Sequence, residues 1–466
     1  MNPAAPNLIT EVPGPRSREL AAELGRYECR NVTGLSDEFP IFWDRAHDHW
    51  VWDVDGNCFL DWTSAFAVTS LGHGAEPLRQ RLHEQVDQLW HAMGDVHPPS
   101  LKPALCRKLS EITFERWGAG PARVTLANSG FEAVEIALKT SWLHSHRPGV
   151  IAFRGGYHGL GFGAAEVTGW PYFQEPFRGI LPKFVTLVDY PTCASCPFAV
   201  EEGFRLEGEP FPNCSNPCLR QIEQQVRQAI DQKEIGAVLV EPCLGRGGDV
   251  LPPRDFLPML RQVCDETKTL LILDEIYTGF NRTGQLFASD WFEVIPDLIC
   301  LGKAMSGGFP ISACVGRRTV MDAWPASSGE ALHTTTHLGN PLGCAMALSA
   351  IEQHLEKGLA EEVQEKGRML LERLRELRHP AIKQVRGIGL MHAVEFGDTD
   401  ERPASTLVGR LMVEGLKHGY LLLGGGPNGQ ILSLTPPFTI GQAEIDQFVD
   451  WLQEYLISLP GSISKS

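Results

Sequence analysis

Apolar residues in the middle of the chain come in short unbroken runs rather than in strict alternation with polar ones. The run 270–273 ends on Asp274, and the run 298–301 ends on Gly302 and Lys303, with glycines again at 307 and 308. Four or five apolar residues bounded by turn residues are the pattern of a strand covered on both faces, as in a parallel sheet. Comparable runs predict strands over 123–127, 150–153, 184–188, 236–241 and 311–315. Between them the period lengthens to that of amphipathic helices, for example over 218–232 and 253–267. The alternation predicts a doubly wound α/β domain with a mostly parallel sheet. Such sheets take ligands at the carboxyl ends of their strands. The two central runs therefore deliver a carboxylate, Asp274, and an amine, Lys303, to one edge.

Both ends of the chain keep a different rhythm. Residues 1–35 read as an arm with a helix over 17–25, and residues 51–61 read as two strands around the turn Asp55-Gly56. After Asn340-Pro341, helices are predicted over 341–357 and 360–377, then an apolar segment over 387–396. A helix over 405–418, a Gly-rich stretch, a short strand over 431–434 and a closing helix follow. This predicts a smaller α+β domain formed by both chain ends. Residues 1–75 supply the arm and part of that domain, 76–343 the large domain, and 344–466 the remainder.

The net charge of −16 argues against nucleic acid and against an anionic membrane surface as partners. No apolar run approaches the length of a membrane span. The first residues lack the basic and apolar regions of an export signal, so the expected compartment is the cytoplasm, with the twelve cysteines reduced. Two cysteine pairs, Cys193-x2-Cys196 and Cys214-x3-Cys218, have a spacing that could hold a metal. The plain alternative is a loop of reduced thiols.

An Asp at a strand end is also an ordinary helix cap, and most lysines are solvated. Together, though, a lysine able to form a Schiff base and an acid able to face a pyridinium nitrogen are the parts that pyridoxal phosphate (PLP) requires. The words Asp274-Glu275-Ile276, Gly279-Phe280-Asn281-Arg282-Thr283-Gly284 and Gly302-Lys303-Ala304-Met305-Ser306-Gly307-Gly308 resemble the class III, PLP-dependent aminotransferases of fold type I. The resemblance runs from about residue 13 to about residue 456. It implies that Lys303 holds the cofactor and that Asp274 contacts its pyridine nitrogen.

Other positions extend it. Asn128-Ser129-Gly130-Phe131-Glu132 follows a strand and opens a helix, with the capping-box spacing at Ser129 and Glu132. Read plainly, this is a capped helix. The resemblance implies that Ser129, Gly130 and the backbone of Phe131 bind the cofactor phosphate, as free N–H groups at a helix start can. In Gly155-Gly156-Tyr157-His158-Gly159, Tyr157 is expected to stack on the pyridine ring with Ile276 on the other face, the alternative being a buried Tyr in a turn. Glu241 is a further expected cofactor contact. Thr336, in Thr334-Thr335-Thr336-His337-Leu338-Gly339-Asn340-Pro341, matches a residue that reaches the phosphate of a neighbouring subunit. That match implies a homodimer with shared active sites. His73 lies in an incomplete copy of the family's Gly-His-x-His-Pro and is read as structural.

The departures concern substrate. Family members acting on 4-aminobutyrate carry an Arg where this chain has Leu160. They carry a Glu where this chain has Arg246, and the Arg paired with that Glu is here Ser433. With Phe66, these positions imply an apolar substrate pocket in which Arg246 is the cation for a carboxylate. The alternative is an Arg246 that pairs with a surface acid. The reading is a PLP-dependent aminotransferase that moves an amino group from an amine or ω-amino acid to a 2-oxo acid in two ping-pong half-reactions. A racemase or epimerase, an aminomutase or a decarboxylase on the same scaffold stays open, because the lysine–cofactor bond is common to all of them. So does a non-catalytic, metal-bound scaffold around the cysteine loop.

Overall fold

The computed structural model describes residues 3–192, 217–399 and 402–459. The chain divides into two compact units. The larger is Pro77–Glu362, and the smaller joins Met1–Glu76 to Val363–Ser466. The division expected after residue 343 thus falls after Glu362. The reason is the helix Pro341–His354, whose Cys344, Ala347 and Ile351 are part of one core cluster with Leu105, Leu109 and Ile299.

The larger unit is built on a seven-stranded sheet. Its strands are β1 (Ala122–Ala127), β2 (Gly149–Phe153), β3 (Val185–Val188), β4 (Ile235–Val240), β5 (Leu270–Asp274), β6 (Leu298–Leu301) and β7 (Ser312–Arg317). Their spatial order is β1-β7-β6-β5-β4-β2-β3. Every residue of β4, β5 and β6 is buried, as the unbroken apolar runs predict. Alternate residues of β6 serve opposite cores: Ile299 and Leu301 pack with Phe280, Phe287 and Ile351, while Leu298 and Cys300 pack with Ala133, Ala137 and Ile272. Two covered faces explain the absence of polar alternation.

Five of the strands pair in parallel, β3 with β2, β2 with β4, β4 with β5 and β5 with β6. Only β7 is reversed, running antiparallel to both β6 and β1. The carboxyl ends of β1, β2, β4, β5 and β6 therefore share one edge with the start of β7. There the Ser312 hydroxyl donates to the Ser129 carbonyl over 2.6 Å.

The smaller unit has two four-stranded sheets. One contains the expected hairpin, Trp50–Asp53 and Cys58–Asp61, with Gly56 at φ 87° in the turn and an unexpected outer strand, Trp43–His47. The other contains Ile382–Ile388, Met391–Phe396, Leu423–Gly425 and Ile431–Leu434. After the hairpin, Ser64, Ala65, Phe66 and Ala67 all have φ between 46° and 65°, one left-handed turn with no glycine in it. Left-handed helix costs roughly 1–2 kcal/mol per residue, so the turn needs anchors. Asp61 Oδ1 accepts from the N–H and hydroxyl of Thr63 at 2.8 and 2.7 Å, and the Ser64 hydroxyl donates to the Thr435 carbonyl at 2.7 Å. His73 Nε2 meets Asp61 Oδ2 at 2.8 Å. His73 is thus placed as one of the turn's supports.

Candidate active site

Asp274 ends β5, one of the fully buried strands of the sheet, and is 3% exposed. Its Oδ1 accepts the Ile276 N–H at 3.1 Å, and its Oδ2 accepts from His158 Nδ1–H at 2.8 Å. His158 stands on the loop after β2 and is itself buried. Its backbone N–H donates to Thr168 Oγ1 at 3.0 Å, while its Nε2 is buried without a partner among the described residues. Sequence reasoning passed over His158. The signal available was its place next to Tyr157, one residue from a side chain already expected at the site.

Lys303 follows β6 at φ 46°, a region that disfavours any residue with a Cβ. Such a conformation costs on the order of 1–3 kcal/mol and is kept only where the surroundings enforce it. Its Nζ lies over the ring of Tyr277, 4.5 Å from the centroid. Burial pulls its amine below the ordinary lysine range, Asp274 and Glu241 act the other way, and Arg246 adds to the lowering. Lowering the pKa of a lysine makes its neutral amine easier to reach, which suits nucleophilic and base chemistry.

Glu241, at the end of β4, ties two loops together. Its Oε1 accepts the Tyr157 N–H at 2.8 Å and its Oε2 the Gly245 N–H at 2.9 Å. Burial pushes its carboxyl up to about 7; His158 and the two N–H groups pull it down, and Asp274 pushes it further up. Tyr157 is thereby fixed through its backbone. The Arg246 guanidinium lies over the rings of Tyr157, at 5.2 Å, and Phe173, at 5.1 Å. Arg246 is exposed and makes no ion pair among the described residues. The surface acid that would give it a merely structural role is not found there. Phe173 lies outside every motif and was not expected.

At the start of the helix Gly130–Ser145, the predicted capping box is half made. Glu132 Oε2 accepts the N–H groups of Asn128 and Ser129 at 2.9 and 2.8 Å. The Ser129 hydroxyl donates to the same oxygen at 3.0 Å instead of accepting from the helix. Among the described residues no acceptor meets the N–H groups of Gly130 and Phe131. A Cβ on Gly130 would come within 3.0 Å of Ile276 Cδ1, so glycine lets the helix start lie directly beside Ile276. Gly159, at φ 107°, gives Phe131 the same kind of room, since a Cβ there would sit 2.3 Å from Phe131 Cβ.

The threonine run approaches the same helix start. Asn128 Nδ2 donates to Thr335 Oγ1 at 2.9 Å, while Thr336 is exposed and makes no hydrogen bond among the described residues. Leu160 is exposed on the larger unit. Phe66 and Ser433 belong to the smaller unit, Phe66 exposed on its left-handed turn and Ser433 buried in the strand Ile431–Leu434. Cys193, Cys196 and Cys214 lie outside the described residues, and Cys218 lies near the start of the helix Pro217–Gln232. Among the described residues no group of His, Cys, Asp and Glu is arranged to hold a metal, and no helix is long and apolar enough to cross a membrane.

The description of the class III aminotransferases matches residues 33–456. A 4-aminobutyrate aminotransferase of Mycobacterium bovis is 34% identical over 455 residues, covering 95% of this chain and 96% of its own. An alanine/serine racemase of Pyrococcus horikoshii is 32% identical over 440 residues, covering 93% and 89%. Among solved structures, an amine transaminase from an uncultivated Pseudomonas species, in its PLP-bound form, superposes with a TM-score of 0.81 at 26% identity, covering 92% of this chain and 98% of that one.

Proposed function

The chain belongs to the class III aminotransferases and is a PLP-dependent enzyme of that family, and we propose that Lys303 and Asp274 carry its amino-group transfer between an amine or ω-amino acid and a 2-oxo acid. The observation that carries this reading is the delivery of both groups to one sheet edge by the adjacent strands β5 and β6, with the far oxygen of Asp274 held by His158.

The residues present fit the cofactor. The open N–H groups of Gly130 and Phe131, with Ser129 beside them, suit the phosphate of PLP. Gly130 leaves Ile276 free to line one face of a flat ring, with Tyr157 as the other face. Asp274 suits the pyridine nitrogen and Lys303 the aldehyde carbon. Bound PLP supplies an electron sink for the charge left on a substrate carbon when it loses a proton. Freed by the incoming substrate amine, Lys303 Nζ would take that proton and return it two atoms away, at the carbon that had carried the aldehyde, as a base with a lowered pKa can. Asp274, kept in place by His158 and the Ile276 N–H, holds a proton on the ring nitrogen. Glu241 acts through Tyr157 and the Arg246 loop. Arg246, laid over two aromatic rings with its N–H edge unpaired, is the receptor for the carboxylate of the 2-oxo acid.

The working unit in this reading is a homodimer with Thr336 completing the partner's phosphate site. Trp90, Met93, Val96 and Leu332 are all more than half exposed, an unusual density of large apolar side chains for free surface. Asn340 donates to the Trp90 carbonyl and Thr334 to Asp95, the residue before Val96, so the apolar surface adjoins the Thr336 loop. The cytoplasm is the compartment this reading expects, where buried cysteines such as Cys243, Cys264 and Cys344 stay as reduced thiols.

Incubation with an amine donor and pyruvate or 2-oxoglutarate tests the reaction. Formation of the new amino acid with loss of the donor amine is the expected result. Racemisation of alanine or serine without net transfer would replace this reading with the racemase activity known for one relative.

A further inference from the structure

The turn that carries Lys303 rests on a buried imidazole. His354 is the last residue of the helix Pro341–His354 and is 3% exposed. Its Nε2–H donates to the carbonyl of Ala304, the residue after Lys303, over 3.2 Å. The imidazole is fixed from behind. Asn281 Nδ2–H donates to the His354 carbonyl at 2.7 Å and lies 3.5 Å from Nδ1, and Phe280 packs on the ring at 5.4 Å between centroids. Phe280 and Asn281 have φ of 58° and 65°. Two segments of left-handed backbone, 280–281 and Lys303, therefore meet at one side chain.

Burial drives the imidazole down to about 3, with the Arg282 charge adding to the effect and the Ala304 carbonyl opposing it. His354 thus stays neutral through the working pH range, and its N–H is a constant donor. The helix it closes starts at Asn340, whose side chain accepts the N–H groups of Leu342 and Gly343. Just ahead of that cap lie Thr336 and Thr335, the latter bonded to Asn128. One capped helix thus connects the loop at the phosphate-binding end with the turn of Lys303.

We propose that His354 is a positioning residue: by holding the Ala304 carbonyl it fixes Lys303 in the left-handed conformation that presents its amine at the sheet edge. The inference rests on the reading of Lys303 as the lysine that carries the cofactor. A purely structural His354 would cap a buried carbonyl and nothing more.

His354→Leu removes the donor at similar volume, and His354→Gln keeps an N–H. On the PLP-loaded enzyme, His354→Leu should lower kcat by roughly ten- to a hundredfold with KM changed by less than about threefold, as for a group acting on the chemical step alone. The pH titration of the cofactor absorbance should shift its midpoint. Exchange of the Met305 and Ser306 amides, which donate to the carbonyls of Gly302 and Lys303, should quicken by about tenfold or more as the turn opens. His354→Gln should recover most of the loss. A folded His354→Leu enzyme with normal kcat, titration and exchange, whatever its Tm, overturns the proposal. If that variant does not fold, Asn281→Ala leaves the imidazole in place without its buttress. The same changes at smaller amplitude are then expected, and their complete absence overturns the proposal equally. Lys303→Ala separates the two readings. Transfer surviving in Lys303→Ala removes both, whereas a dead Lys303→Ala beside a normal His354→Leu removes only the role of His354.

Discussion

His158 gives its Nδ1–H to Asp274 across 2.8 Å, joining side chains 116 residues apart in the sequence. Both are buried, and the other Asp274 oxygen is taken by the backbone of Ile276. The carboxylate therefore has little freedom to rotate. His158→Phe should lower kcat by roughly ten- to a hundredfold through loss of a hydrogen bond to a charged group. Combined with Asp274→Asn it should cost little more than Asp274→Asn alone, since the two act as one unit. Additive losses in this double-mutant cycle would mean that His158 works on something other than Asp274.

Lys303→Ala should abolish transfer while the protein still binds PLP non-covalently, seen as activity loss together with retained cofactor after gel filtration. Asp274→Asn should fold normally and lose roughly a hundred- to a thousandfold in kcat, the scale of removing one preorganised electrostatic group. Near-normal turnover in Asp274→Asn would require another group to keep the ring nitrogen protonated.

Glu241 makes stability depend on pH in a definite direction. Its folded carboxyl is raised from the usual 4.5 to about 7, so between those values the folded state binds the proton more tightly than the unfolded chain. Stability from this group is fully present below about 4.5 and is lost as pH rises through about 7. The full effect amounts to at most roughly 3 kcal/mol. Glu241→Gln deletes it but also leaves one of the two N–H donors, Tyr157 or Gly245, without an acceptor. The Tm of Glu241→Gln relative to the parent should therefore improve steadily from pH 5 to pH 8, whatever its offset. A pH-independent difference would show that Glu241 is ionised throughout.

Arg246→Ala should raise the KM for the 2-oxo acid by roughly ten- to a hundredfold, the effect of losing a charge-assisted pair. The KM for an amine donor without a carboxylate should change far less. With Leu160 where 4-aminobutyrate enzymes carry an Arg, 4-aminobutyrate should be a poor donor. Steady-state kinetics with one oxo acid and two donors decide the matter. An unchanged oxo-acid KM, or 4-aminobutyrate as the best donor, would overturn this account of the pocket.

The strands that carry Asp274 and Lys303 were legible because complete burial leaves an unbroken apolar run in the sequence. The reversal of β7 was not, because Ser312–Arg317 reads the same in either direction and only its pairing reveals the sense. The His158–Asp274 contact had no local pattern to announce it. The left-handed conformations at Lys303 and across Ser64–Ala67 were equally silent, since no glycine marks them. Phe173 meets Arg246 only because the loops after β2 and β4 converge on Glu241. Such convergence is a property of packing, invisible in any single segment.

The reversed strand β7 also divides the sheet edge by its tolerance for evolutionary change. Between Leu301 and Ser312 the chain must turn back on itself and re-enter the sheet in antiparallel register with β6, carrying Lys303 on the way. An insertion there would have to be absorbed by the reactive lysine's own turn. The stretches after β2 and β4 lead instead into crossovers with helices of their own, and their lengths can drift while Glu241 keeps their first residues in place. Divergence in substrate range among relatives of this chain should thus accumulate as length variation after β2 and β4, around Leu160, Phe173 and Arg246, with the 302–311 connection constant in length.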